Sequence, residues 1–241
     1  MFKKFLAVLM LALTTLTFTA CSDDDSDSST EKAAKSSKSK VSSDMPKIAA
    51  DKAIEDFAMV QFYGTTGDDN EAAASTGMKP DEIDKYFKKI VKDVADDFKQ
   101  EYFLNDETAT ELAIYYLAKC AESSNLTVKL KKDDDVNPVV TVTFAPVDND
   151  AIVKKMRSNR EFVDFMGTVE GSRNDPKAIK DLENNAEYQA TILQGLEEQI
   201  FDEIPVKAAK SVDIECEISQ GYDGKNYWMP VDPDELSKLT N

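Results

Sequence analysis

The feature that most constrains the fold is a change in hydrophobic period at Asn125. Before it, apolar residues recur every three or four positions. Ile83, Phe87, Ile90, Val94, Phe98 and Tyr102 make one helical stripe, and Leu112, Tyr116 and Cys120, widened by Ala113 and Leu117, make another. After it, Leu126, Val128 and Leu130 alternate with Thr127, Lys129 and Lys131, and Val140, Val142 and Phe144 alternate with Thr141 and Thr143. A period of two puts successive side chains on opposite faces of a strand, so this stretch reads as a hairpin with one buried face. The period switches back for two more helices, about 149–165 and 175 to about 203. It then returns to two at Val212, Ile214, Cys216 and Ile218, before a Tyr222-Asp223-Gly224-Lys225 turn and a returning strand from Asn226 to Val231. The expected fold class is α+β: helices packed on an antiparallel, curved sheet of about four strands, with a long helical insertion between two hairpins.

Local signals place the helix starts. Residues 47–63 carry Ile48, Ile54, Phe57, Ala58 and Phe62 at helical spacing, and 64–78, with three glycines, reads as a loop. Pro80 suits a first helical position because its missing N–H costs nothing there, and Asp81 and Glu82 favour the positive end of the helix dipole. Asn105 or Asp106 caps the next helix, and Asp232-Pro233-Asp234-Glu235 opens a last short one.

The ends carry the address. Lys3 and Lys4 precede an uncharged stretch from Phe5 to Thr19, which small residues close at Thr19-Ala20-Cys21. This is the layout of a secretory signal, and about 15 apolar residues fall short of the roughly 20 that a bilayer-spanning helix needs. Phe18-Thr19-Ala20-Cys21 resembles the lipobox of bacterial lipoproteins, although Phe18 stands where Leu is usual. The resemblance implies lipid on the Cys21 thiol and cleavage before it, so residues 1–20 are expected to be a lipoprotein signal peptide. Residues 21–46, rich in Ser, Asp and Lys, have almost nothing to bury and read as a disordered tether reaching about 25–30 Å. Residues 47–241 are left as a single globular domain, held at the extracytoplasmic face of a bacterial membrane.

Several chemistries are ruled out by residue type. The chain has no histidine, which removes His-activated nucleophiles and His-ligated metals. None of its eight glycines forms a phosphate-cradling loop. With 46 acidic against 29 basic residues the net charge is −17, and about −19 once Lys3 and Lys4 leave with the signal, which disfavours nucleic acid as a partner. Asp68-Asp69-Asn70, Asp133-Asp134-Asp135 and Asp148-Asn149-Asp150 lack the spacing of a calcium-binding loop and read as turns and caps. No catalytic residue, cofactor or metal site is assigned. Cys120 and Cys216 both fall on apolar faces and read either as a disulfide or as two buried thiols. Tyr222, Tyr227 and Trp228 cluster in the last hairpin and read either as sheet packing or as the wall of a ligand pocket.

The strand, Asp-Gly turn and aromatic strand that end in Tyr227-Trp228-Met229-Pro230-Val231-Asp232 resemble the closing element of nuclear-transport-factor-2-like (cystatin-like) domains. The whole chain also resembles a family of Gram-positive bacterial lipoproteins with no agreed activity. The resemblance implies a lipid-anchored surface protein and carries over no catalytic residue. The expected role is therefore a non-enzymatic binding or interaction domain, with a protein or small molecule as its ligand. An envelope hydrolase using carboxylates or a metal is the alternative, and a solute-binding component of a transporter the second.

Overall fold

The structure is a computed structural model that describes residues 45–240 apart from residue 66. The signal, Cys21 and the tether as far as residue 44 lie outside the described residues. Helix α1 (Ala50–Tyr63) buries Ala53, Ile54, Phe57 and Ala58 and ends at Gly64, whose φ is +80°. A Cβ at Gly64 would stand 2.8 Å from the Cα of Phe87, so this glycine permits both the left-handed turn and the close approach of α1 to α3. Residues 64–78 are not wholly loop: they hold α2 (Asp69–Thr76). Two turns of mostly Ala, Ser and Asn leave too weak an apolar stripe to read, yet the ends are well made. Asp68 accepts from the N–H groups of Asn70 and Glu71, and Gly77 closes the helix at φ +70°.

Helix α3 (Pro80–Tyr102) buries the expected stripe, with Phe87 only half covered. Its outer face pairs Lys85 with Asp81, Lys88 with Asp84 and Lys89 with Asp93 at i,i+4 spacing. Helix α4 (Asp106–Ser123) starts where Asn105 accepts from Thr108 N–H at 2.9 Å. It buries Leu112, Ala113, Tyr116, Leu117 and Cys120.

Strands β1 (Thr127–Lys132), β2 (Val139–Phe144), β3 (Lys210–Gln220) and β4 (Asn226–Pro230) form one open antiparallel sheet in sequential order. The α+β class is thus the one the chain adopts. Val140, Val142, Phe144, Ile214, Cys216 and Trp228 are buried under the helices. The outer face is polar, with Thr141 donating to Asp213 at 2.7 Å and Thr143 bonded to Ser211 at 2.8 Å. Alternation overstates burial on β1: Val128 is only half-buried and Leu130 is exposed, β1 being an edge strand with a single neighbour in the sheet.

Between β2 and β3 the two expected helices are four, followed by a wider, π-helical stretch. The first divides into α5 (Asn149–Ser158) and α6 (Arg160–Ser172) at Asn159, which caps α6 by accepting from Phe162 N–H. The second divides into α7 (Pro176–Glu183) and α8 (Ala186–Gln194) at Asn184-Asn185, where Asn185 accepts from Tyr188 N–H. Asparagine bonds the backbone better at a cap than within a helix, so it breaks a run whose apolar period continues through it. A π-helical stretch, Gly195–Phe201, follows α8 directly and buries Leu196, Ile200 and Phe201. A 3₁₀ helix, Pro233–Leu239, ends the described chain, started by Asp232 accepting from Asp234 N–H.

One core runs through both halves. Phe98 of α3 packs its ring 5.7 Å from that of Tyr116 on α4 and 5.8 Å from that of Phe201, and the same cluster reaches Trp228 and Leu236.

Candidate functional site

The turn joining β3 to β4 is fastened from several sides. Gly221 N–H donates to Lys225 O at 2.9 Å and Gly224 N–H to Gly221 O at 3.0 Å. Asp223 accepts the backbone N–H of Lys225 through Oδ1, while its Oδ2 accepts the Lys225 ammonium and the Tyr227 hydroxyl. The neighbouring loop reaches across as well, since Tyr222 N–H donates to Gly77 O at 3.1 Å.

Adjacent strand positions point to opposite faces, and the two aromatic neighbours obey this. Trp228 faces inward opposite Ile218 and is 6% exposed. Tyr227 sits on the outer face yet is also covered, its ring pressed on two glycines. A Cβ at Gly77 would come within 2.5 Å of that ring and one at Gly221 within 2.4 Å. Tyr222 is different: its backbone is pinned but 54% of the residue is exposed. The three aromatics therefore divide between packing and surface.

All three line a cleft of about 740 Å³. Its other walls are the stem segment Met45–Ile48, the Asn70, Ala73 and Ala74 positions of α2, and Pro80. Of this stem, Met45 and Pro46 fall in the stretch expected to be tether, and Lys47 and Ile48 in the expected first helix. Pro46 was the available signal, a rigid residue at the end of a polar run, and Ile48 lies before the helix, which starts at Ala50. Asp223 is the carboxylate on the lining, and hydrogen bonding to Lys225 holds it below the usual carboxylate range. Among the described carboxylates, Asp97, Glu101 and Glu197 are raised, each chiefly by burial, and none of them lines the cleft.

The three acidic clusters have backbone partners. Asp68 caps α2, Asp134 accepts from the N–H groups of Val136 and Asn137, and Asp148 caps α5 through Ala151 N–H. No group of three potential metal ligands gathers among the described residues.

Cys120 on α4 and Cys216 on β3 are both free and buried, so the disulfide reading is not the arrangement this structure holds. Burial pushes the Cys120 thiol up to about 12 and the Cys216 thiol up to about 11. At pH 8 the thiolate share is then on the order of one part in a thousand or less. Iodoacetamide is expected to spare both thiols in the folded protein and to alkylate both in urea without reductant. Labelling in urea that appears only after a reductant is added would show a disulfide instead.

No protein-family model and no curated protein matches the chain. Among solved structures, the candidate lipoprotein YcdA of Bacillus subtilis matches at 13% identity with a TM-score of 0.44. The overlap takes in 78% of this chain and 53% of YcdA, so this chain spans about half of that protein's length. A superposition this loose carries no argument about fold or function.

Proposed function

We propose that this chain is a lipid-anchored extracytoplasmic binding protein, not an enzyme, and that its ligand sits in the cleft between the stem and the last hairpin. One observation carries the reading. The cleft is a concave, partly aromatic space whose lining carboxylate is paired with the Lys225 ammonium and the Tyr227 hydroxyl and held below the usual carboxylate range. Ligand sites of this size are typically apolar hollows with a few fixed polar groups, whereas carboxylate hydrolysis needs a second acidic group with a raised pKa facing the same space. The resemblance of the last hairpin to nuclear-transport-factor-2-like domains and the leader that stops at Cys21 support the same reading.

The stem is also where the chain passes toward Cys21, so the cleft opens at the end of the domain nearest the tether. The test is a photo-crosslinking amino acid placed at Tyr222 in living cells, with the exposed Val163 on α6 as control. Position 222 is expected to give a discrete adduct that position 163 lacks. Matching adduct patterns at both positions would contradict the proposal.

A further inference from the structure

We infer that the cleft takes an extended peptide, which adds as a short fifth strand to the free edge of β4; this rests on the cleft being the binding site. The sheet order leaves β4 at one edge, and its residues Asn226–Trp228 lie on the cleft wall. The hydrogen-bond phase of that edge follows from bonds at either end of the pair. Gly221 N–H donates to Lys225 O and Val231 N–H donates to Glu215 O. In the β3–β4 register these are the outermost members of one alternating set, with Ser219 paired to Tyr227 and Glu217 to Met229 between them. On the other side of β3, Cys216 N–H donates to Pro138 O, so even positions of β3 serve β2 and odd positions serve β4.

An antiparallel strand directs the main-chain groups of alternate residues to opposite sides. The N–H and C=O of Trp228 therefore point away from β3, as do those of Asn226. For Trp228, neither group takes part in a backbone–backbone bond outside the strand ladder among the described residues. Pro230, two positions on, has no N–H to offer, which limits the receptive edge to a short stretch. The small residues Ala73 and Ala74 of α2 and the stem Met45–Ile48 line the same cleft as this edge.

An open edge strand invites pairing with any extended chain, and domains that bind peptides by strand addition use this chemistry. Here the edge is short, ends in a proline and is walled, so it admits one strand and not a growing sheet. A guest of four residues spans about 13 Å and throws its side chains alternately toward the two walls of the cleft. Main-chain bonding then supplies affinity, and Tyr222 and the stem supply preference among side chains.

The experiment selects a displayed library of random octapeptides on the full-length, lipidated protein held in nanodiscs. Enriched peptides are titrated against that protein and against a version with an ester in place of the peptide bond between Tyr227 and Trp228. The ester removes the outward N–H and keeps the indole. That N–H takes no part in the β3–β4 ladder, but the ester carbonyl of Tyr227 accepts less well from Ser219 N–H, so the urea midpoint is expected to fall slightly while both versions stay folded under the binding conditions. Binding is expected to weaken about tenfold, the loss of a desolvated hydrogen bond. N-methylation of alternate residues in the peptide is expected to abolish binding in one phase and spare it in the other. A selection that enriches nothing, or peptides that bind the ester version equally well, would overturn strand addition. A non-peptide adduct at position 222 together with a failed selection overturns strand addition and leaves the cleft reading in place. Failure of both removes the two together.

Discussion

Cys21→Ala is expected to abolish incorporation of labelled fatty acid and to lower the membrane-held share of the processed protein at least tenfold. Cys21 closes an uncharged leader about 15 residues long, and the chain that follows is too polar to insert. On the proposed anchoring, attachment falls to the lipid. Two acyl chains, at about 0.8 kcal/mol per buried methylene, hold a protein firmly where one would exchange. Among the described residues, no helix is long and apolar enough to cross a membrane. The label is the decisive readout, because blocked processing can leave uncut leader attached to the membrane. A Cys21→Ala protein that still takes up labelled fatty acid, or stays with the membrane after cleavage, would remove the anchor from this account.

Phe98→Ala is expected to cost about 3–5 kcal/mol, read as a fall in the urea midpoint. Phe98 is 2% exposed and its ring meets those of Tyr102, Tyr116 and Phe201. It thus joins α3 and α4 to the π-helical stretch that follows α8, the seam between the helices before the sheet and those inserted into it. Truncation would leave a hole lined by rigid rings that cannot close over it, which puts the cost toward the upper part of the range. Both halves share this core, so the variant is expected to unfold in a single transition, like the parent. A loss under about 1 kcal/mol, or two separated transitions, would mean that the seam does not couple the halves.

Legibility differed from element to element for identifiable reasons. Helix α3 was readable end to end because Pro80 opens it and a long stripe repeats without interruption. The last hairpin was readable because four alternating apolar residues meet an Asp-Gly turn. Asn159 and Asn185 were harder, since each lies in a run whose apolar spacing continues on both sides; only the side-chain bonds to Phe162 and Tyr188 N–H mark the breaks. Helix α2 was invisible for the opposite reason, its burial resting on alanines, Ser75 and Thr76 rather than on large apolar residues. Of the site, Tyr222, Tyr227 and Trp228 could be named in advance. Which of them would be exposed could not, because that depends on Gly77, about 150 positions away, lying against the Tyr227 ring.

Periodicity, charge and the residue types present were enough by themselves to specify an α+β domain and to exclude histidine-based chemistry. These are local properties: a repeat of two or of three to four residues selects which face is buried wherever that face finds its partner. The cleft, the separate burial of the two thiols and the free edge of β4 were decided only by tertiary structure. Each depends on segments far apart in the chain meeting at a particular distance and register, and no local pattern carries that distance.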